Sequence, residues 1–255
     1  IVSLMYMIYE NLLRDARFGA KKLALLIDPD KQDAGQLEEV AREAQRVGVD
    51  YLLVGGSLLT RDTLNETVRR LKQESNLPVL LFPGSSWQIT DQADALLYLS
   101  LISGRNADLL IGQQVQAAPL LDQMDLEVIP TGYMLIDGGA PTTVSYITQT
   151  APIPSNKPDI AVATALAGKY LGMQVLYLDA GSGARNPVPP DMIRQVKCRV
   201  DLPLLVGGGI RTPDQAVQAL RNGADIVVIG TAIERDPTLL ADMAQAVQTA
   251  MLLAN

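Results

Sequence analysis

From Leu23 onward the chain is a succession of eight short apolar runs, at 23–27, 51–54, 79–82, 95–99, 127–130, 175–178, 204–206 and 226–229. Between most of them lie stretches with helical periodicity, among them 36–47, 61–74, 213–222 and 238–252. A strand that is apolar along its whole length is buried on both faces, which is the mark of a parallel sheet covered by helices. Eight such units in about 230 residues match the usual size of a (β/α)8 TIM barrel. An open doubly wound sheet is the alternative. No linker or low-complexity segment divides the chain, so one domain over 1–255 is expected.

The spacing has two irregularities. Between 82 and 95 there is room for only about a turn of helix (SSWQITDQAD), so the third helix reads as shortened or replaced by loop. The connection from Pro130 to Val175 is long, with TGYMLIDGG and an insert before a helix at 158–171. A long loop after a strand belongs to the catalytic face of such a barrel. Ahead of the first strand, Leu4, Ile8, Leu12 and Leu13 form one face of an extra amphipathic helix. That helix and the insert after strand five are surfaces expected to bury against another subunit.

Composition narrows the chemistry. The chain has no histidine and one cysteine, Cys198. This excludes an intramolecular disulfide, a Cys-rich zinc site and the Ser-His or Cys-His nucleophile systems. With 21 Lys+Arg against 28 Asp+Glu, the net charge is −7, and aromatic residues make up 4%. Neither fits a nucleic-acid-binding stripe. The apolar runs fall short of the about 18 residues needed to cross a bilayer. The opening segment lacks a basic leader and a small-residue cleavage site, so the expected compartment is the cytoplasm.

The strand ends carry the polar motifs. Strand seven runs into VGGGIR, and strand eight is followed by GTAIERDP. Consecutive glycines at 207–209 let the main chain approach an anion, and Gly230 with Thr231 occupies the matching place after strand eight. Helices starting near Thr212 and Ile233 would add their positive ends. Phosphate sites in this fold are commonly built from these two loops; the alternative is that the glycines only shape turns. Strand six ends in YLDAGSGA, where Tyr177 and Asp179 share one side of the strand. Asp179 reads as a hydroxyl partner or general base, or as an aspartate that merely orders the following loop. Strand one ends in LIDPDK and strand two in VGGS. Asp28 and Ser57 would face one another on adjacent strands, as a Mg2+ site beside a diphosphate or as a helix cap and a turn residue. Lys31 and Arg61 either neutralise that diphosphate or are solvated. Phe82, Leu99, Leu101, Tyr133, Met134 and Leu135 would line one side of the barrel mouth, a groove suited to a hydrocarbon unless they are plain core, with Trp87, Tyr98 or Tyr133 as candidates to close its floor.

Taken together, LIDPDK, VGGS, LFPGSS, LSLISG, PTGYMLIDGG, YLDAGSGA, VGGGIR and GADIVVIGT follow in order at successive strand ends. The set resembles the geranylgeranylglyceryl phosphate synthase family, in its larger group, over about residues 23–237. The resemblance implies transfer of a geranylgeranyl or other polyprenyl group from its diphosphate to the 3-hydroxyl of sn-glycerol 1-phosphate, giving an ether-lipid precursor. It implies Asp28, Tyr177 and Asp179 as catalytic residues and Mg2+ held by Asp28 and Ser57. The glycerol phosphate would be held by Tyr177, Leu178, Asp179, Ala180, Gly181, Ser182 and Gly183, with Gly208, Gly209, Gly230 and Thr231 on the phosphate. It also implies a homo-oligomer, dimer or hexamer, with transient membrane contact for product release. One departure stands out: the strand-six acid is usually glutamate, and here it is Asp179, one methylene shorter. The competing readings are a phosphosugar isomerase or lyase on the same barrel, and a non-catalytic phosphate- or lipid-binding barrel.

Overall fold

Main-chain pairing closes eight parallel strands into a ring, each bonded to its neighbours in sequence and the last to the first. The computed structural model describes residues 8–252, with side chains through 250. The strands are β1 (Lys22–Ile27), β2 (Tyr51–Val54), β3 (Val79–Leu81), β4 (Ala95–Leu101), β5 (Glu127–Leu135), β6 (Val175–Asp179), β7 (Leu204–Gly207) and β8 (Ile226–Ile229). The helices are α1 (Ile8–Arg17), α2 (Ala34–Val47), α3 (Leu64–Glu74), α4 (Gln113–Leu121), α5 (Thr143–Thr148), α6 (Pro158–Tyr170), α7 (Pro190–Lys197), α8 (Pro213–Arg221), α9 (Thr231–Arg235) and α10 (Leu239–Leu252). This is a (β/α)8 barrel, as the repeating pattern requires.

Because successive strand side chains point to opposite faces, each apolar run feeds two cores. Leu23, Leu25, Leu52, Val54, Leu176, Leu178, Val206 and Ile229 pack outward against the helices. Ala24, Leu53, Leu80, Leu97, Ile129, Tyr133, Tyr177, Leu205 and Val228 fill the barrel. The amino-terminal helix α1 joins the inner set: Leu12 is buried with the barrel-interior residues. The Glu127 carboxylate, at the start of β5, accepts the N–H groups of Ile8 and Tyr9, each at 2.9 Å. Thus α1 stoppers the amino-terminal end of the barrel, and Leu12 of its apolar face is spent within this subunit. Leu4 of the expected stripe lies outside the described residues.

No helix joins β3 to β4; loop replaces it, one of the two outcomes its short spacing allowed. Residues 82–94 form a loop held by Gln88, whose Oε1 accepts from the Gly84 N–H (3.0 Å) and whose Nε2 donates to the Gly56 carbonyl (3.1 Å). Strand five is a correction. It does not stop at Pro130 but continues through Thr131, Gly132, Tyr133, Met134 and Leu135, paired with β4 and β6. Pro130 faces outward and its carbonyl still accepts from Gln174 N–H at 2.8 Å, so the ring interrupts nothing the ladder needs there. The connection to β6 is correspondingly shorter, beginning at Ile136.

Candidate active site

The strand ends open into a cavity of about 500 Å³. Its first wall is made by the loops after β6, β7 and β8: Ser182, Gly183, Gly208, Gly209, Gly230 and Thr231 all line it. Gly208 and Gly209 take φ of +76° and +71°, which other residues adopt only at a cost. Space demands glycine as well, since a Cβ on Gly208 would stand 2.5 Å from Asp179 Oδ1 and 2.5 Å from the Gly181 nitrogen. The hydroxyls of Ser182 and Thr231 lie 3.1 Å apart across the β6 and β8 loops. Helix α8 begins at Pro213 with Thr212 as its cap, as expected, but the helix after β8 starts at Thr231 rather than near Ile233 and is five residues long. An anion placed at this wall would meet loop amides and hydroxyls more than helix dipoles.

Beside this wall lie Tyr177 and Asp179, both turned inward. Asp179 is 7% exposed. Its Oδ1 accepts the Gly181 N–H at 2.8 Å, and its Oδ2 accepts the Tyr133 hydroxyl at 2.6 Å. Thus it orders the following loop and also faces the cavity. Burial raises the Asp179 pKa, and the two hydrogen bonds only partly offset it. Burial, and then the Asp179 charge, push the Tyr133 hydroxyl well above its usual value. Phe82, Tyr133 and Tyr177 form an aromatic triangle with ring centroids 5.1–5.9 Å apart.

Leu178 and Ala180 turn their side chains into the layer beneath the helices, since they alternate with Tyr177 and Asp179. Gly181 is spent on Asp179 and does not line the cavity, so any ligand contact from these three positions is through the main chain. A strand that ends at Pro130 places Tyr133 in a loop and hides its pairing with Asp179. The period-two alternation of Ile129, Thr131 and Tyr133 across Pro130 was the available signal.

Asp28 and Ser57 meet the same cavity from β1 and β2. Asp28 does not cap the following helix, which Asp33 caps instead. Its Oδ1 accepts the Asp30 N–H (3.1 Å) and its Oδ2 faces Lys31 Nζ at 3.1 Å. Lys31 also reaches Glu234 at 3.1 Å. Burial works against that ammonium, yet Glu234 and then Asp28 outweigh it and hold the Lys31 pKa above its usual value. A Cβ on Gly56 would stand 3.4 Å from both Asp28 oxygens, so glycine leaves that flank of the carboxylate open. Mg2+ takes one or two protein oxygens when phosphates and waters complete its shell. The Asp28 carboxylate, with Ser57 lining the same cavity, fits that demand. Among the described residues no group of three or more His, Cys, Asp or Glu would hold a metal unaided. Arg61 is exposed and does not line the cavity.

The remaining wall is apolar. Phe82, Leu99, Leu101 and Tyr133 line it as expected, joined by Ile89, Leu96, Tyr98, Leu109 and Ala117. Met134 packs outward, because the extension of β5 puts it on the helix side, and Leu135 is buried inside the barrel without reaching the cavity. Trp87 is 88% exposed and so does not form a cavity floor. The Tyr98 hydroxyl donates to the Gln114 carbonyl at 2.5 Å, tying β4 to α4, the helix expected from no motif.

The PcrB family model matches residues 17–251. A geranylgeranylglyceryl phosphate synthase of Chitinophaga pinensis is 51% identical over 95% of this chain and 96% of its own. One of Thermococcus kodakarensis is 48% identical over 83% of each chain. The crystal structure of (S)-3-O-geranylgeranylglyceryl phosphate synthase from Thermoplasma acidophilum, in complex with sn-glycerol-1-phosphate, superposes with a TM-score of 0.90 at 34% identity, covering 95% of this chain and 98% of that one. A thiamine phosphate pyrophosphorylase of Pyrococcus furiosus, at 15% identity and a TM-score of 0.55, shares the barrel alone. With a family model spanning residues 17–251 and relatives about half identical over 83–96% of their lengths, the chain belongs to the PcrB family, among the geranylgeranylglyceryl phosphate synthases.

Proposed function

We propose that this prenyltransferase moves a geranylgeranyl or other polyprenyl group from its diphosphate to the 3-hydroxyl of sn-glycerol 1-phosphate. The observation that carries the reading is the continuity of one cavity, which the glycine loops, Asp28, Asp179 and an apolar wall from β3, β4 and α4 all line. A phosphosugar isomerase has no use for the apolar arm.

In this reading the amides around Gly208, Gly209 and Gly230 hold the phosphate of the acceptor, and the hydroxyls of Ser182 and Thr231 complete its cradle. Asp28 and Ser57 would hold Mg2+, which supplies charge neutralisation that makes the diphosphate a better leaving group. Lys31 swings between its carboxylate partners and the diphosphate. The apolar wall keeps water from the allylic carbon as its bond to oxygen lengthens. The acceptor oxygen forms the new bond, and its proton ends on Asp179. The protein works as a homo-oligomer in the cytoplasm, touching membranes to release product; no helix among the described residues is long and apolar enough to cross one.

Incubation with labelled glycerol 1-phosphate and prenyl diphosphates of several lengths, followed by extraction into organic solvent, tests the transfer. Labelled lipid that disappears with EDTA and returns with Mg2+ supports it. No organic-soluble label with any prenyl diphosphate overturns it.

A further inference from the structure

Each oxygen of the Asp179 carboxylate already accepts a hydrogen bond from the protein. Oδ1 is taken by the Gly181 N–H, and the Gly208 main chain is packed against that side so closely that a Cβ there would lie 2.5 Å away. Oδ2 is taken by the Tyr133 hydroxyl at 2.6 Å. A phenol has one proton and two lone pairs. Tyr133 spends its proton on Asp179, and its lone pairs remain to accept from something else. That side chain lines the cavity. Its ring is held edge-on by Tyr177, its register partner on β6, at 5.6 Å and 80°, so the oxygen has a fixed place. The Tyr177 hydroxyl, by contrast, lies against Gly207.

We propose that in this chain Tyr133 is a catalytic residue: its hydroxyl oxygen meets the acceptor alcohol and passes that proton to Asp179. The inference rests on the prenyl-transfer reading and deepens it. In the step, an acceptor oxygen lone pair forms the bond to the allylic carbon, while the carbon–oxygen bond to the diphosphate breaks and its electron pair leaves with the diphosphate. The alcohol proton moves to Tyr133 Oη as the Tyr133 proton moves to Asp179 Oδ2. Tyrosine ends neutral and unchanged, and Asp179 ends protonated until product leaves. The raised carboxyl pKa helps it retain that proton. A one-methylene-shorter acid is thereby sufficient, because the phenol spans the gap.

The test is a double-mutant cycle of Tyr133→Phe and Asp179→Glu, with kcat and KM for glycerol 1-phosphate measured for all four proteins. Glutamate extends the carboxylate by about 1.5 Å, one carbon–carbon bond, and lets it reach the alcohol directly. Tyr133→Phe is expected to lower kcat about 100-fold in the natural background, within the range for a lost acid–base group, with KM changed by only about threefold. In the Asp179→Glu background the same change is expected to cost less than about fivefold. A kcat within about threefold of the natural enzyme for Tyr133→Phe, or equal losses in both backgrounds, overturns the relay. Should Asp179→Glu fail to fold, fluorinated tyrosines at position 133 replace it. A kcat that tracks phenol acidity supports the relay, and a kcat indifferent to it refutes it. Turnover by the natural enzyme reports separately on prenyl transfer; its absence would remove both proposals, whereas normal turnover with an indifferent Tyr133 removes only this one.

Discussion

Gly208→Ala is the substitution that most directly asks whether the β7 bend is built for a ligand and for Asp179 together. Two costs add. The first is conformational: φ is +76°, and an L side chain in that region costs roughly 1–2 kcal/mol. The second is steric. The new methyl would stand 2.5 Å from Asp179 Oδ1, 2.5 Å from the Gly181 nitrogen and 2.7 Å from the Ala180 nitrogen. Two of these are main-chain atoms, so relief requires one loop to move, at about 1–3 kcal/mol by analogy with an overpacked core. The sum is about 2–5 kcal/mol, worth roughly 4–20 °C in Tm for a chain of this size. Gly183→Ala is the control. Its φ is +87°, but nothing lies within 4 Å of the added Cβ, so only the conformational cost of roughly 1–2 kcal/mol applies. Urea unfolding of both variants, alongside calorimetric titration with glycerol 1-phosphate, separates the two contributions. Gly208→Ala should be the less stable and should lose the Asp179–Gly181 hydrogen bond together with most glycerol phosphate affinity. If the two variants are equally stable, or if Gly208→Ala binds glycerol phosphate normally, the loop is less constrained than its geometry implies and the reasoning fails.

Other consequences are equally open to measurement. Asp28→Asn should reduce turnover by about 100-fold or more with little change in Tm, since the carboxylate faces a cavity and not the core; a near-normal rate with Mg2+ present would reject its assignment. The acid limb of kcat against pH should lie above the ordinary aspartate range, because Asp179 must be ionised to take the proton and burial raises its pKa. The sign for stability is the reverse: the fold binds this proton more tightly than the unfolded chain, so the contribution of Asp179 is full below the unfolded pKa and is lost as pH rises through the folded one. Activity that stays flat down to the usual carboxylate range would contradict this. Leu12→Ala should cost about 2–4 kcal/mol in urea unfolding by opening a void in the barrel floor, leaving KM for both substrates unchanged; a negligible loss would mean that α1 does not stopper the barrel.

Much of the architecture was legible in order along the chain. The alternation of apolar runs with helical stretches, and the missing period between 82 and 95, are local properties, and burial on both faces admits few other sheets. Strand five is obscured at Pro130 for a local reason as well: proline normally ends a central strand, and nothing nearby reports that Pro130 lies just ahead of the pairing with β6, which begins at Val175. Continuation of β5 past Pro130 brings Tyr133 into the barrel and turns Met134 toward the helices.

What the amino-acid order determined by itself was therefore the set of parts: eight strands with alternating faces, glycine-bearing ends after β7 and β8, carboxylates at the ends of β1 and β6, and no histidine to share their work. What only the tertiary structure decided was apposition. Tyr133 and Asp179 stand 46 residues apart and meet at 2.6 Å because β5 and β6 pair in one register. A shift of one residue would turn either side chain to the opposite face. Likewise Leu12 reads only as part of an amphipathic face until the barrel offers it an open floor, and Lys31 as either a solvated charge or a diphosphate partner until Asp28 and Glu234 close on it. Faces follow from local periodicity; which faces meet follows from ring closure, which no single segment encodes.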